Sequence, residues 1–170
     1  MSRHVNVLSA VRCSVLLVCL IAACSNAPKR DDASTLSPPP PKDPATAPMV
    51  ALETPQGEVN VTVEVVATRP KIERGMMFRE HLPPDAGMLF LMGSEADHTF
   101  YMRNTLIPLD MIFITKDLTI AGIVERAEPR TETLRSVGAT SLYVLEVNGG
   151  WTASHQVKPG AKVRFVRVTP

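Results

Sequence analysis

The chain has 170 residues, of which 45% are hydrophobic and 5% aromatic, with 18 Lys and Arg against 17 Asp and Glu. This length suits one modest globular domain and excludes a large multidomain architecture. The formal net charge of +1 gives no bulk attraction to polyanions, so the sequence predicts no nucleic-acid partner and no membrane binding through charge alone.

The N-terminus has the pattern of a bacterial lipoprotein signal. Basic residues precede an apolar run over residues 15–23, which is too short to span a bilayer as a mature helix. The run ends Ile21-Ala22-Ala23-Cys24. This ending resembles the lipobox, in which an aliphatic residue and two small residues precede the cysteine that is acylated. We therefore expect a lipoprotein signal peptide over residues 1–23 and lipid attachment at Cys24.

The expected lipid on Cys24 makes a membrane the expected partner of this protein and decides where the protein is located. Two or more acyl chains, palmitate among them, anchor a soluble domain stably to a membrane. Ser25 stands where inner-membrane lipoproteins of many Gram-negative bacteria carry Asp, which favours the outer membrane, facing the periplasm. Cys13 and Cys19 lie within the expected signal peptide, so no cysteine remains after Cys24 for a disulfide or for thiol chemistry.

Residues 24–56 are predicted to form a disordered tether. Eight of the 15 prolines lie between Pro28 and Pro55, and the segment has few large apolar side chains and neither a helical nor a strand period. Such a spacer holds the following domain away from the membrane surface. We place the start of that globular domain at Gly57 and its end at Pro170.

The predicted domain is rich in strands. Residues 57–170 carry 13 basic and 13 acidic residues, so any binding site has to be local. Valines alternate with polar residues over residues 59–65, the pattern of a half-buried strand. Thr68-Arg69-Pro70 provides an N-cap and a first-turn proline for a short helix. Further strands are predicted over residues 87–92, 99–103, 109–115, 118–124, 141–147 and 162–168.

This succession of elements predicts a fold class. Many short strands with only one or two short helices indicate a mainly β fold, a compact antiparallel β-sandwich or barrel-like domain. A second short helix is expected from Trp151, with the indole filling the core. A parallel α/β sheet is disfavoured, because the strands do not alternate with long helical segments.

Five motifs follow one another through the predicted domain. They are Arg74-Gly75-Met76-Met77-Phe78-Arg79, Gly87-Met88-Leu89-Phe90, Phe100-Tyr101-Met102-Arg103-Asn104-Thr105, Ile107-Pro108-Leu109-Asp110 and Val144-Leu145-Glu146-Val147-Asn148-Gly149-Gly150. In this order they resemble the motifs of domain-of-unknown-function family 192, a bacterial and archaeal family, over about residues 57–168. Tyr101 and Arg103 stand where the family usually has Trp and Lys. The resemblance implies a compact β-sandwich that is often exported and has no established activity.

Two acidic residues stand within apolar strands and define the candidate site. Asp110 and Glu146 share strand faces with aliphatic residues, so both carboxylates are expected to be buried and to need cations or backbone donors. The functional interpretation is a pocket for an anion or another small ligand; the structural one is an internal ion-pair network that fixes the turn over residues 104–108. The candidate ligand-binding residues are Arg74, Arg79, Arg103, Asn104, Asp110 and Glu146.

Two other chemistries stay open. Asp110 and Glu146 could act as a general acid and base in a hydrolase, although no nucleophile or substrate motif accompanies them. Methionines also recur through residues 76–111, and thioethers are ligands for copper, so a copper-binding accessory protein using Met88, Met102 and His98 is an alternative. Apolar filling of a core is the more ordinary role of such methionines.

The sequence as a whole favours binding over catalysis. It contains no phosphate-binding loop, dinucleotide fingerprint or serine-hydrolase elbow in the predicted domain. We therefore expect no cofactor and assign no catalytic residue. The prediction is an uncharacterised lipid-anchored envelope protein, an accessory domain for a small ligand or an envelope partner.

Overall fold

The computed structural model describes residues 46–169. The expected signal peptide over residues 1–23, the lipidation site Cys24 and most of the expected tether lie outside the described residues. Within the described part, seven strands and two short helices follow one another along the chain. They are β1 (Met49–Thr54), β2 (Gly57–Val66), α1 (Arg69–Arg74), β3 (Ala86–Ala96), β4 (Leu109–Ile114), β5 (Ile120–Ala127), β6 (Ser141–Asn148), α2 (Trp151–Ser154) and β7 (Val163–Val166).

All seven strands belong to one curled sheet. Their order is β5-β4-β6-β3-β2-β1-β7, and every neighbouring pair is antiparallel except β2 and β3, which run parallel. The two outermost strands approach each other at a bridge between Thr119 and Lys162. The predicted mainly β, barrel-like fold with short helices is therefore confirmed, with one parallel pair that the sequence analysis did not anticipate.

The folded domain begins earlier than Gly57. Residues 49–54, which we assigned to the disordered tether, form β1, which lies between β2 and β7 and pairs with both. Val50, Ala51 and Leu52 are completely or almost completely buried. The tether interpretation failed here because this strand is short and lies between Pro48 and Pro55, so its apolar residues were grouped with the proline-rich segment.

The strand predicted over residues 99–103 does not form. The segment makes only an isolated bridge between Phe100 and Arg135 and otherwise has no regular structure. Phe100 and Met102 are nevertheless buried, at 8% and 0% exposure. Their alternation with polar residues thus reflects packing of a loop onto the sheet, a pattern that periodicity does not distinguish from a strand.

The inner, concave face of the sheet carries the first of two cores. Alternate residues of the strands, such as Val61, Leu89 and Ile112, meet there with α2. Trp151 is 6% exposed and packs in this core, as predicted, and its Nε1 donates a hydrogen bond to Asp85 Oδ1 at 3.1 Å. Helix α2 therefore closes one end of the curled sheet.

The outer face carries a second core that is rich in methionine and phenylalanine. Met88, Phe90, Met111 and Phe113 extend from the strands on this side and are at most 1% exposed. The segments that cover them contribute Ile72, Met76, Leu82, Phe100, Met102 and Ile107. Both faces of the sheet are thus buried, which explains why β4 is apolar along its whole length apart from Asp110.

Asp110 joins three segments at the inner face. Its Oδ1 accepts hydrogen bonds from the backbone N–H groups of Arg126, at 2.7 Å, and Gly150, at 2.8 Å. Its Oδ2 accepts from the backbone N–H of Thr152, at 2.9 Å, and from the Thr152 hydroxyl, at 2.6 Å. The carboxylate therefore ties β4 to β5 and satisfies the first N–H groups of α2, for which Gly150 offers no side chain.

Replacing Asp110 with Asn tests how much the hydrogen bonds of this carboxylate contribute to stability. The variant Asp110→Asn places an amide NH₂ against N–H donors, so it loses acceptors and leaves buried donors without partners. We expect it to lower the free energy of unfolding by about 3 kcal/mol. Denaturant unfolding measures the difference, with the exposed turn substitution Asp117→Asn as the matched control. Equal stability of the Asp110 variant and the wild type would contradict a structural role.

Candidate functional site

A cavity of about 160 Å³ lies on the outer side of the sheet, between its strands and the segments that cover them. We call it the Glu146 cavity. Glu73 and Thr99 are exposed and mark the side on which it opens to solvent. Its lining residues are Ile72, Glu73, Arg74, Gly75, Met76, Met77, Phe90, Met92, Thr99, Phe100, Tyr101, Thr105 and Glu146.

The register of the sheet places Glu146 in a row with a second carboxylate. Met88 of β3 lies opposite Glu64 of β2 on one side and opposite Glu146 of β6 on the other. Side chains of directly paired residues project from the same face of a sheet, so both glutamates are on the outer face. Arg79 forms an ion pair with Glu64. The guanidinium of Arg79 is therefore close to a row of side chains that contains both Glu64 and Glu146.

Glu146 is buried without a compensating hydrogen bond. It is 5% exposed, and its Oε2 has no hydrogen-bond partner within residues 46–169. Burial raises the pKa of Glu146 to about 8, and the positive charge of Arg79 opposes that increase only in part. The carboxyl group is therefore largely protonated at neutral pH. A buried polar atom that lacks a partner is costly, and such atoms are rare in folded proteins.

Arg79 also keeps an unused donor. Its Nη2 bonds to Glu64, while its buried Nε has no partner among the described residues. The charge of Arg79 acts on Glu146 without a direct hydrogen bond between the two. Arg79 therefore forms its ion pair with Glu64 and not with Glu146. The ion-pair network that we expected to fix the turn over residues 104–108 stays a prediction.

The other predicted site residues are placed differently. Arg74 lines the cavity, with its guanidinium 5.7 Å from the centre of the Phe78 ring. Arg103 is exposed and lies over Tyr101, at 5.0 Å from the ring centre. Asn104 is also exposed and contributes its backbone carbonyl, which accepts from the Phe78 N–H at 2.8 Å. Neither Arg103 nor Asn104 is among the residues that line the cavity.

Asp110 is separated from the cavity by the sheet itself. It pairs with Val147, whereas the next residue, Met111, pairs with Glu146. Successive residues of a strand project to opposite faces, so Asp110 and Glu146 lie on opposite sides. Its partners are backbone amides and a hydroxyl instead of the arginines we expected. The structure therefore does not bring the two carboxylates together as the acid and base of a hydrolase.

The methionines of the copper alternative are part of the outer core. Met88 and Met102 are 1% and 0% exposed and pack among phenylalanines. His98 has its Nε2 3.0 Å from the carbonyl oxygen of Ser94. Within residues 46–169 no three His, Cys, Asp or Glu side chains are grouped to hold a metal ion. The geometry thus gives the copper alternative no support.

Sequence reasoning missed several parts of the site. The alternating pattern predicts Glu64 only as a polar residue of a strand. Its position beside Glu146 follows from the pairing of β2, β3 and β6, which no single strand specifies. Phe100 and Tyr101 line the cavity from a segment predicted to be a strand. Their place in one of the family motifs was the available signal, but it does not show what they contact.

Comparison with known families identifies the family of this chain. Residues 51–165 match the model of domain-of-unknown-function family 192, which is described as an uncharacterized ACR. The chain belongs to this family. The match begins within β1, in agreement with a domain that starts before Gly57.

Two solved structures are similar to this chain. A protein from Sinorhizobium meliloti 1021, named provisionally as a transcription regulator, has 36% identity and a TM-score of 0.68, with 72% of this chain and 97% of that one covered. A protein of unknown function from Novosphingobium aromaticivorans DSM 12444 has 38% identity and a TM-score of 0.66, with 68% of this chain and 83% of that one covered. No curated protein matches the sequence significantly.

The titration of Glu146 predicts how stability depends on pH. Its pKa is about 8 in the folded protein against 4.5 for a solvated glutamate, so the folded state holds the proton more tightly and loses stability as pH rises between these values. Glu146→Gln keeps the neutral form at every pH. At pH 7 we expect the variant to be more stable than the wild type by about 3 kcal/mol, since one pKa unit corresponds to about 1.4 kcal/mol.

Denaturant unfolding as a function of pH measures this difference. The two proteins are expected to be equally stable at about pH 4, where Glu146 is protonated in both states. Glu125→Gln, at an exposed position of β5, is the matched control and should show no comparable divergence. A stability difference that stays constant from acid to alkaline pH would contradict the raised pKa.

Proposed function

We propose that this protein is a lipid-anchored envelope protein whose folded domain binds a small ligand in the Glu146 cavity. The observation that carries the proposal is the buried Glu146 carboxyl group, which lines an open cavity and lacks a hydrogen-bond partner at Oε2. Retaining such a group reduces stability, and residues that do so are commonly kept for function.

The size and walls of the cavity describe the ligand. A cavity of about 150 Å³ is sufficient to bind benzene, so a volume of about 160 Å³ suits a molecule of similar size. The larger part of the cavity wall is apolar and includes Phe90, Phe100 and Met92. The polar residues of the wall are Glu73, Arg74, Thr99, Tyr101, Thr105 and Glu146. A mainly apolar wall with a few polar groups is typical of small-molecule sites. The ligand is therefore a small, mostly apolar molecule that also carries a polar group.

The lipid anchor is proposed from the sequence of the N-terminus. The lipobox over residues 21–24 supports a signal peptide that ends at Ala23 and acyl chains on Cys24, with the outer membrane facing the periplasm as the favoured location. Neither helix among residues 46–169 has the length and apolar character needed to cross a membrane.

A role on DNA, which the name of the Sinorhizobium protein raises, has no support in the charge of this chain. Residues 57–170 carry 13 basic and 13 acidic residues. DNA-binding domains are normally basic, because most of their affinity comes from contacts with phosphates. Ligand binding remains the function that the geometry favours.

A blocked cavity tests ligand binding. Thr99→Trp places a large ring at the exposed side of the cavity, where it should exclude ligands without disturbing the core. We screen a library of small, mostly apolar compounds by ligand-observed NMR and expect the binders to lose at least about tenfold in affinity, or 1.4 kcal/mol, in this variant.

The exposed substitution Thr133→Trp is the control, because it adds the same ring outside the cavity lining. It should leave the affinities unchanged. The proposal fails if the library yields no binder, or if the binders are unaffected by Thr99→Trp.

The anchor is tested at the cysteine. Cys24→Ser removes the acylated thiol, so the protein should no longer incorporate labelled palmitate. Cys19→Ser, within the expected signal peptide, should keep the label. Incorporation of labelled palmitate by the Cys24 variant equal to that by the wild type would rule out acylation at Cys24.

A further inference from the structure

We infer that the ligand of the Glu146 cavity is a small organic carboxylate, held by hydrogen-bond donors of the cavity wall and by the positive charge of Arg74. The inference rests on the proposed function, because it specifies the chemical class of ligand for the same cavity. The carbon part of the ligand is a short chain or a single ring.

The wall of the cavity contains a positive charge that no carboxylate balances. Glu73 and Arg74 both belong to the lining, but Glu73 is paired with Arg69 at 2.8 Å. Arg74 forms no ion pair with any of residues 46–169. Its guanidinium lies 5.7 Å from the centre of the Phe78 ring, which carries no charge. A ligand with a negative charge would provide the missing partner.

Glu146 does not balance Arg74. The two residues line the same cavity without forming an ion pair. Burial raises the pKa of Glu146 to about 8, so its carboxyl group is largely uncharged at pH 7. Arg79, whose charge acts on Glu146, is itself paired with Glu64. At neutral pH the groups around the cavity therefore carry one net positive charge.

The polar groups of the wall are mainly hydrogen-bond donors. The protonated carboxyl of Glu146 has an O–H group, and the guanidinium of Arg74 can only donate. The hydroxyl oxygen of Tyr101 accepts from Arg103 Nη2 at 3.3 Å, which leaves the phenol proton to be donated. Thr105, which is 4% exposed, adds a hydroxyl. A carboxylate has acceptors only, and hydrogen bonds to a charged acceptor are stronger than those to a neutral one.

The apolar part of the wall suits the carbon skeleton of such a ligand. Phe90, Met92 and Phe100 line the cavity, whose volume of about 160 Å³ is close to that of a cavity that binds benzene. A benzoate ring or a branched chain of similar size can pack against these side chains. Their exclusion of water also strengthens the attraction between the ligand and Arg74.

Binding depends on the proton of Glu146. An ionised Glu146 would place a like charge beside the carboxylate of the ligand. Its neighbours on β3 and β4, Met88 and Met111, are uncharged. The charged or titratable groups that pack around it from the other elements are Glu64, Glu73, Arg74, Arg79 and Tyr101. Because the pKa of Glu146 is about 8, the affinity for a carboxylate should fall as pH rises through this value.

The experiment compares carboxylates with uncharged amides of the same shape. Benzoate and 3-methylbutanoate are the anions; benzamide and 3-methylbutanamide are their neutral counterparts. Calorimetric titration of the full chain measures the affinities. At pH 7 we expect at least one carboxylate to bind at least about tenfold more tightly than its amide. The same carboxylate should lose about tenfold in affinity between pH 7 and pH 9, and its binding at pH 9 should take up about one proton.

Variants of two lining residues locate the effect. Arg74→Gln should weaken the carboxylate at least about tenfold and leave the amide unchanged. Lys71→Gln, at an exposed position of the same helix and outside the lining, is the matched control and should change neither affinity. Glu146→Gln keeps a donor but has no proton to lose, so it should retain carboxylate binding at pH 7 and abolish the loss at pH 9.

Four results would overturn the inference. They are equal affinities of carboxylates and amides, no binding by either carboxylate, an unaltered carboxylate affinity in Arg74→Gln, and a loss between pH 7 and pH 9 that persists in Glu146→Gln. If neutral compounds still bind and Thr99→Trp excludes them, the inference alone fails. If no compound depends on Thr99, the proposed function fails as well.

Discussion

The hydrogen bonds accepted by Asp110 hold the architecture together. A single carboxylate in the middle of an apolar strand receives donors from β5 and from the start of α2, so the edge of the sheet and the helix that closes its inner core are fixed by the same two oxygens. The donors are backbone N–H groups and a hydroxyl, and this lets the carboxylate be buried completely without a cation. Arg79, on the opposite face, pairs with Glu64 instead.

The two buried carboxyl groups show that the two covered faces of one sheet can provide different environments. Asp110 is fully partnered on the inner face, while Glu146 on the outer face lacks a partner at Oε2 and has a raised pKa. They occupy neighbouring pairs of the same two strands. Because successive residues of a strand project to opposite faces, two neighbouring positions can place one carboxyl group among hydrogen-bond donors and another beside an open cavity.

The sequence predicted the parts of this arrangement that depend on local pattern. Period-two alternation located β2, and the acidic residues inside apolar strands indicated that Asp110 and Glu146 are buried. What it missed depends on pairing between distant segments. β1 lies in a proline-rich segment, and its pairing with β2 is not visible in its own residues. The partners of Asp110 are mostly backbone groups, which carry no sequence signal. The grouping of Glu64, Arg79 and Glu146 follows from a register that no single strand specifies.

The parallel pairing of β2 and β3 explains why a cavity exists on the outer face. Parallel neighbours cannot be joined by a tight turn, so residues 67–85 have to travel back along the sheet before β3 begins. That crossover carries α1 and Met76, which line the cavity, and Arg79, whose positive charge acts on Glu146. Because a surface connection tolerates change better than a paired strand, substitutions in this crossover can reshape the cavity while the sheet stays the same.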